Sequence, residues 1–173
     1  MIQRKRIKFI NTESLNHLSI TMNLCFAADK SLGTLAKWLR ILGYDTIYEP
    51  QGSGSEFYAR LADHRILITR SREIQKMWGD HHPVFITSNL LVEQVKQVVG
   101  QVGIDRDDIR PFSLCIHCNR PIGKVDKSDV YGLVPDYIWE THDAFNRCRQ
   151  CKRIYWSGSH AERSMDMIDQ LFS

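Results

Sequence analysis

Nowhere does the chain hold an apolar run near the roughly 20 residues that span a bilayer, so no membrane-crossing helix is expected. It also lacks internal repeats and low-complexity segments. Its basic opening, Met1 to Ile10, is followed by neither an apolar stretch nor a small-residue cleavage site, so no secretory signal is expected. The chain reads as cytoplasmic, a compartment where disulfides are rare. Acids are missing from two stretches. Arg4, Lys5, Arg6 and Lys8 precede the first acid, Glu13, and Phe145 to Trp156 carries Arg147, Arg149, Lys152 and Arg153 with none. Without the first four cations the net charge of +3 would turn slightly negative, so the positive charge is local. Local positive charge of this kind is either a solvated face or a contact for a phosphate backbone.

What is present is ordinary for a globular chain. The 173 residues are 43% apolar and 25% charged, enough for a real core and unlike disordered, collagenous or coiled-coil chains. Ile20 to Ala28 reads as a strand ending at Asp29. Leu32, Leu35, Ala36, Leu39 and Leu42 recur at helical spacing, with Gly43 where a helix C-cap belongs. Thr46–Tyr48, Ile66–Thr69 and Val84–Ile86 read as further strands. Helices are predicted over 56–62, over 72–77 behind a Ser71 cap, and over 90–99, and Ile7–Ile10 is a candidate edge strand. Strands alternating with helices predict an α/β fold with a mainly parallel sheet flanked by helices.

In such sheets the functional crevice lies outside the carboxyl ends of the strands. That rule selects Asp29, Glu49, Ser71 with Glu73, and Ser88 with Asn89. Asp29 and Ser71 also suit plain helix capping.

The cysteines carry the most specific pattern. Cys115-Ile-His-Cys118 and Cys148-Arg-Gln-Cys151 are two C-x-x-C turns separated by 29 residues. Two such turns complete a tetrahedral four-thiolate shell, the geometry of one structural zinc, and a closed shell leaves no position for catalysis. The long intervening loop must fold as its own small element. Metal binding would supply the folding energy of a module from about Phe112 to Tyr155. His117, His142 and His160 are substitute ligands. Cys25, inside a predicted strand, reads as a small buried apolar residue. Around the zinc turns, arginines and lysines lie beside Phe145, Tyr155 and Trp156, a mixture suited to single-stranded nucleic acid. Phe145 and Tyr155 read as module core.

Phe26 to Asp45, with Ile66-Leu-Ile-Thr-Arg70, Leu91-Val-Glu-Gln94, Val134-Pro135, the two C-x-x-C pairs and Ile154 to His160, resembles the Mut-seven C-terminal ribonuclease domain family over roughly residues 24–165. The resemblance implies a PIN-like domain at 1–110, and a zinc ribbon with a C-terminal helix at 111–173. It further implies RNA as partner and cleavage by a carboxylate-held Mg²⁺ or Mn²⁺. Asp29 matches the family's first acid, with Glu73 and Glu56 the nearest candidates for the others. Arg147, Arg149, Lys152 and Arg153 are the candidate RNA contacts. Asp45 matches the family's Tyr-Asp pair. The sequence departs from the family at Thr69-Arg70-Ser71, where an acid is expected in place of Ser71. Glu73 is two residues on, about 200° around a helix. The alternative is therefore a protein that keeps this fold and ribbon, binds RNA or a protein partner, and does not cleave.

Overall fold

The computed structural model describes residues 24–50 and 54–173. Strands β1 (Cys25–Ala28), β2 (Asp45–Tyr48), β3 (Ile66–Thr69) and β4 (Val84–Phe85) form a parallel sheet in the order β2-β1-β3-β4. Helices α1 (Gly33–Ile41), α2 (Gly54–Leu61) and α3 (Arg72–Met77) make the three crossovers, and α4 (Leu91–Val102) follows the last strand. The period-two alternation of strand side chains explains the layering. Phe26, Ala28 and Ile68 point into one core with Leu35, Leu39, Val95 and Val98, while Ala27 and Leu67 point into another with Phe57 and Tyr58. The expected edge strand at Ile7–Ile10, the basic arm and the first part of the Ile20–Ala28 strand lie outside the described residues.

The apolar stripe of α1 is fully legible in the fold. Leu32, Leu35, Ala36, Leu39 and Leu42 are all at most 1% exposed. Burial of each leucine contributes about 1.5–3 kcal/mol. Gly43 ends the helix as the sequence predicts. Its φ is +99°, its N–H donates to the Arg40 carbonyl, and the Tyr44 N–H donates to the Leu39 carbonyl. These are the two bonds of a Schellman cap. A Cβ on Gly43 would sit 2.5 Å from the Arg110 carbonyl oxygen, so glycine is required both for conformation and for space.

Boundaries shift elsewhere. α2 starts at Gly54, two residues before its expected start. α4 runs on to Val102 because Gly103, in the left-handed region at φ +75°, is the residue that stops it. β4 is shorter than expected, although the Ile86 N–H still donates to the Thr69 carbonyl at 2.8 Å.

The C-terminal part carries an antiparallel sheet of β5 (Ile122–Val125), β6 (Phe145–Cys148) and β7 (Ile154–Trp156), ordered β5-β6-β7. The long loop between the cysteine pairs does fold as its own element. It holds β5, a 3-10 turn at Lys127–Val130 and helix α5 (Asp136–Thr141), closed over Val130, Val134, Ile138 and Phe145. Trp156 packs on this cluster. Tyr155, expected there, instead turns towards the cysteines, because its hydroxyl needs a polar partner that the cluster lacks. The last helix, α6 (Ser159–Leu171), leaves the ribbon and inserts Ile168 into the core shared by α1 and α4. Both ends of the ribbon are thus tied to the α/β domain.

Candidate functional site

The two C-x-x-C turns have one shared geometry. The Cys115 N–H donates to the Arg120 carbonyl at 2.7 Å, and the Cys148 N–H donates to the Arg153 carbonyl at 3.0 Å. The Asn119 N–H returns to the Cys115 carbonyl at 2.8 Å, and the Lys152 N–H to the Cys148 carbonyl at 2.9 Å. Asn119 and Lys152 both sit in the left-handed region, at φ +56° and +62°. Neither is glycine, so the strain is held by what the turns present. They present four sulfurs within 4.8 Å of one another. These four cysteines could hold a metal such as zinc, and their donor set fits one. Burial raises the Cys115 thiol, but the Tyr155 hydroxyl at 3.0 Å and backbone N–H groups of Cys118 and His117 outweigh it and bring it down to about 6. The Cys118 thiol goes the other way, raised to about 12 by its hydrogen bond with Cys151, so the cluster favours a first thiolate at Cys115.

The first cysteine turn is docked on the α/β domain by buried polar contacts. Arg40, 5% exposed, donates from Nε to the Thr46 carbonyl at 2.8 Å and from Nη1 to the Ile116 carbonyl at 2.8 Å. Asn119 receives the Thr46 N–H at 3.0 Å on Oδ1 and donates from Nδ2 to Asp45. Asp45 is forked by Arg65 at 2.9 and 2.8 Å. Asp45 therefore joins β2, Arg65 and the ribbon. Cys25 is only half-buried, with its sulfur 3.8 Å from Asp45 Oδ2, so it is not the enclosed apolar residue expected from its strand.

Burial would raise the Asp45 pKa, but the bonds from Arg65 and Asn119 hold it below the usual carboxylate value. A carboxyl depressed in the folded state adds stability above its unfolded pKa and loses it as pH falls through the folded pKa. Asp45→Asn should therefore cost most at neutral pH and progressively less below about pH 4, near the unfolded aspartate pKa. The side chain is 43% exposed, so solvent screens the pair. Denaturant midpoints at pH 7 and pH 3 check this. An equal penalty at both would contradict the role assigned to Asp45.

At the strand ends, Asp29 is 5% exposed and its carboxylate is saturated. Oδ1 accepts from the Ser31 N–H at 2.9 Å and the Ser31 hydroxyl at 2.5 Å. Oδ2 accepts from the Thr69 hydroxyl at 2.9 Å and the Arg70 N–H at 2.6 Å. Four donors fill the roughly four acceptor positions of a carboxylate. Glu49, beyond β2, is also 5% exposed and accepts from the Tyr58 hydroxyl at 2.8 Å. Burial, then this bond to Glu49, raises the Tyr58 pKa strongly. Ser71 caps α3 through the Ile74 N–H, as expected. Glu56 and Glu73 are exposed on the first turns of α2 and α3. Among the described residues, the cysteines are the one group of three or more His, Cys, Asp or Glu close enough to share an ion. As they stand, the strand-end residues do not fit a carboxylate-held Mg²⁺ or Mn²⁺. Two of the four donors on Asp29 are backbone N–H groups that cannot turn away.

Of the candidate RNA contacts, the structure brings three together. Arg147, Lys152 and Arg153 line a cavity of about 290 Å³ with Trp156 and the Leu133–Pro135 segment. Arg149 is exposed on the second cysteine turn, outside that lining. Tyr131 and Tyr137, 70% and 64% exposed, stand on the neighbouring insert. Sequence reasoning missed Leu133 and the docking roles of Arg40 and Asn119, which depend on contacts 73 or more residues apart. It also left Trp156 unassigned.

Residues 24–168 match the family model described as the Mut7-C RNAse domain. No curated protein matches the chain, and no solved structure does. Among the described residues no helix is long and apolar enough to cross a membrane.

Proposed function

The chain belongs to the Mut7-C RNAse domain family, and from that footing we propose that it binds single-stranded RNA on the face of a zinc ribbon. The observation that carries this reading is the 290 Å³ cavity, which gathers Arg147, Lys152, Arg153 and Trp156 and holds no acid among its described lining residues. Guanidinium and ammonium groups pair with phosphates, while an aromatic ring beside them offers a face to an unpaired base. One zinc on Cys115, Cys118, Cys148 and Cys151 fixes both turns, and so fixes where Arg147, Arg149, Lys152 and Arg153 stand. Arg147 itself supports the second turn, donating from Nε to the Lys152 carbonyl at 3.2 Å.

The family match favours a second reading, in which the bound RNA is cleaved at the strand ends. Asp29 is its central acid, at the mouth of the sheet, with Glu49 beside it and Glu73 and Glu56 further out. Cleavage with Mg²⁺ or Mn²⁺ would require the Ser31 and Thr69 hydroxyls to release Asp29, and would proceed with Ser71 where the family carries an acid. Ser71→Asp separates the two readings. A gain of metal-dependent cleavage in that variant, from an inactive wild type, marks a binder that has lost catalysis. Cleavage by the wild type, little changed by Ser71→Asp, marks an enzyme that works without that acid.

Binding is tested by neutralising Arg147, Arg149, Lys152 and Arg153 to glutamine together. Affinity for a single-stranded RNA should fall, and the dependence of log K on log salt should flatten by about 0.7 for each phosphate that is no longer neutralised. An unchanged salt slope would place the RNA elsewhere.

A further inference from the structure

A second basic surface lies at the seam between the α/β domain and the ribbon, and it belongs to neither cysteine turn alone. A groove of about 650 Å³ runs between β2, α2 and the turn that follows Cys118. Four arginines line it: Arg40, Arg60, Arg65 and Arg120. Among the described lining residues Asp45 is the single acid, and Arg65 already pairs with it.

The four arginines divide into two pairs. Arg40 and Arg65 are held in place, Arg40 by three backbone carbonyls and Arg65 by Asp45 and the Phe26 carbonyl. They supply fixed positive charge in the wall. Arg60, in the last turn of α2, and Arg120, just beyond the first cysteine turn, are exposed and line the groove from the α/β domain and the ribbon respectively. Tyr48, 46% exposed, closes the carboxyl end of β2, and the Arg40 guanidinium sits 5.8 Å from its ring centroid. A groove of this size is in the range of small-molecule and nucleotide sites. Its lining combines planar forks that match phosphate geometry with an aromatic face that can stack on a base.

We propose that this seam groove binds the sugar–phosphate backbone of single-stranded RNA, with Arg60 and Arg120 gripping phosphates and Tyr48 stacking on a base. The proposal rests on the RNA-binding reading above, and extends it by placing a second contact beside the strand-end residues Asp29 and Glu49. Tyr48 immediately precedes Glu49, and Tyr48 pairs in register with Ala28, immediately before Asp29. An RNA strand in this groove would therefore lead towards the carboxyl ends of the sheet. The site exists only when the ribbon is docked, because Arg120 and Asn119 come from one unit and Tyr48 and Arg60 from the other.

The experiment uses the zinc-loaded full chain and a fluorescein-labelled 12-mer of oligouridine, followed by anisotropy across a salt series. Arg60→Gln with Arg120→Gln removes the two exposed arginines, and neither side chain makes a bond among the described residues. Zinc content and Tm should match wild type. Affinity should fall about tenfold or more at low salt, and the salt slope should flatten by roughly 1.4, two phosphates at about 0.7 each. An oligomer carrying 4-thiouridine should crosslink to the peptide containing Tyr48, and the crosslink should vanish in the double variant. Unchanged affinity and slope in the double variant would overturn the groove, whatever the ribbon variants do. If the ribbon variant alone weakens binding, the groove fails and the ribbon reading stands. If the groove variant alone weakens it, the groove stands and the ribbon reading fails. A double variant that stops binding a polyglutamate peptide yet keeps its RNA affinity would also overturn the proposal.

Discussion

Replacing Cys118 with serine should reduce zinc from about one ion per chain to near zero and unfold the ribbon, while the parallel sheet survives. The reason is energetic. Structural zinc in small cysteine modules contributes about 10–16 kcal/mol of apparent binding energy at neutral pH, as much as the whole stability of a typical domain. The apolar cluster over Val130, Val134, Ile138 and Phe145 is too small to hold the ribbon's three strands without it. The α/β domain has its own core and gives up only its docking bonds to Asn119, Ile116 and His117. Limited proteolysis should then cut within 112–156 and spare 24–50 and 54–110. Metal analysis and protease mapping on the same preparation check this. Undiminished zinc in Cys118→Ser, or a ribbon as protected as wild type, would contradict the four-cysteine centre. Acidification should release the ion as well, because protons compete with it for thiolates.

Asp29→Asn should destabilise the chain by about 3 kcal/mol, since two of the bonds to a buried carboxylate are removed at about 1.5 kcal/mol each, the lower end for hydrogen bonds to charged groups. Asn offers one acceptor oxygen where Asp29 offers two, and its amide N–H groups would face the Thr69 hydroxyl and Arg70 N–H or the Ser31 pair. For a chain of this length the Tm should drop roughly 6–12 °C. RNA binding below the transition should remain, because the basic surfaces lie on other elements. Calorimetry and RNA titration on the same variant check both halves. A Tm equal to wild type would show that Asp29 is not the clamp between β1 and β3 that its bonds describe. On the cleavage reading, the same variant also loses turnover.

Much of this was legible in the sequence because it depends on local chemistry. The helical spacing of Leu32, Leu35, Leu39 and Leu42, the Gly43 cap, the Ser71 cap and the Ile66–Thr69 strand are each written in a few adjacent residues. The paired C-x-x-C turns are the same kind of signal. What was hidden depends on distant contacts. Nothing around Asn119 shows that its amide would join Thr46 and Asp45. Nor does Tyr155, in a strand of aromatic residues, advertise that it would serve Cys115 and leave the core to Trp156. Asp29 shows both sides of this. Its place after β1 is readable, but the saturation of its carboxylate by Thr69 and Arg70, some 40 residues on, is not.

RNA should lie on the basic face that the four cysteines hold. Hydrogen exchange of the zinc-loaded chain, with and without a single-stranded 12-mer RNA, tests it without altering a residue. Exchange should slow in 145–156, around Arg147, Lys152, Arg153 and Trp156, when RNA is added. Exchange unchanged across 145–156 at saturating RNA would contradict it.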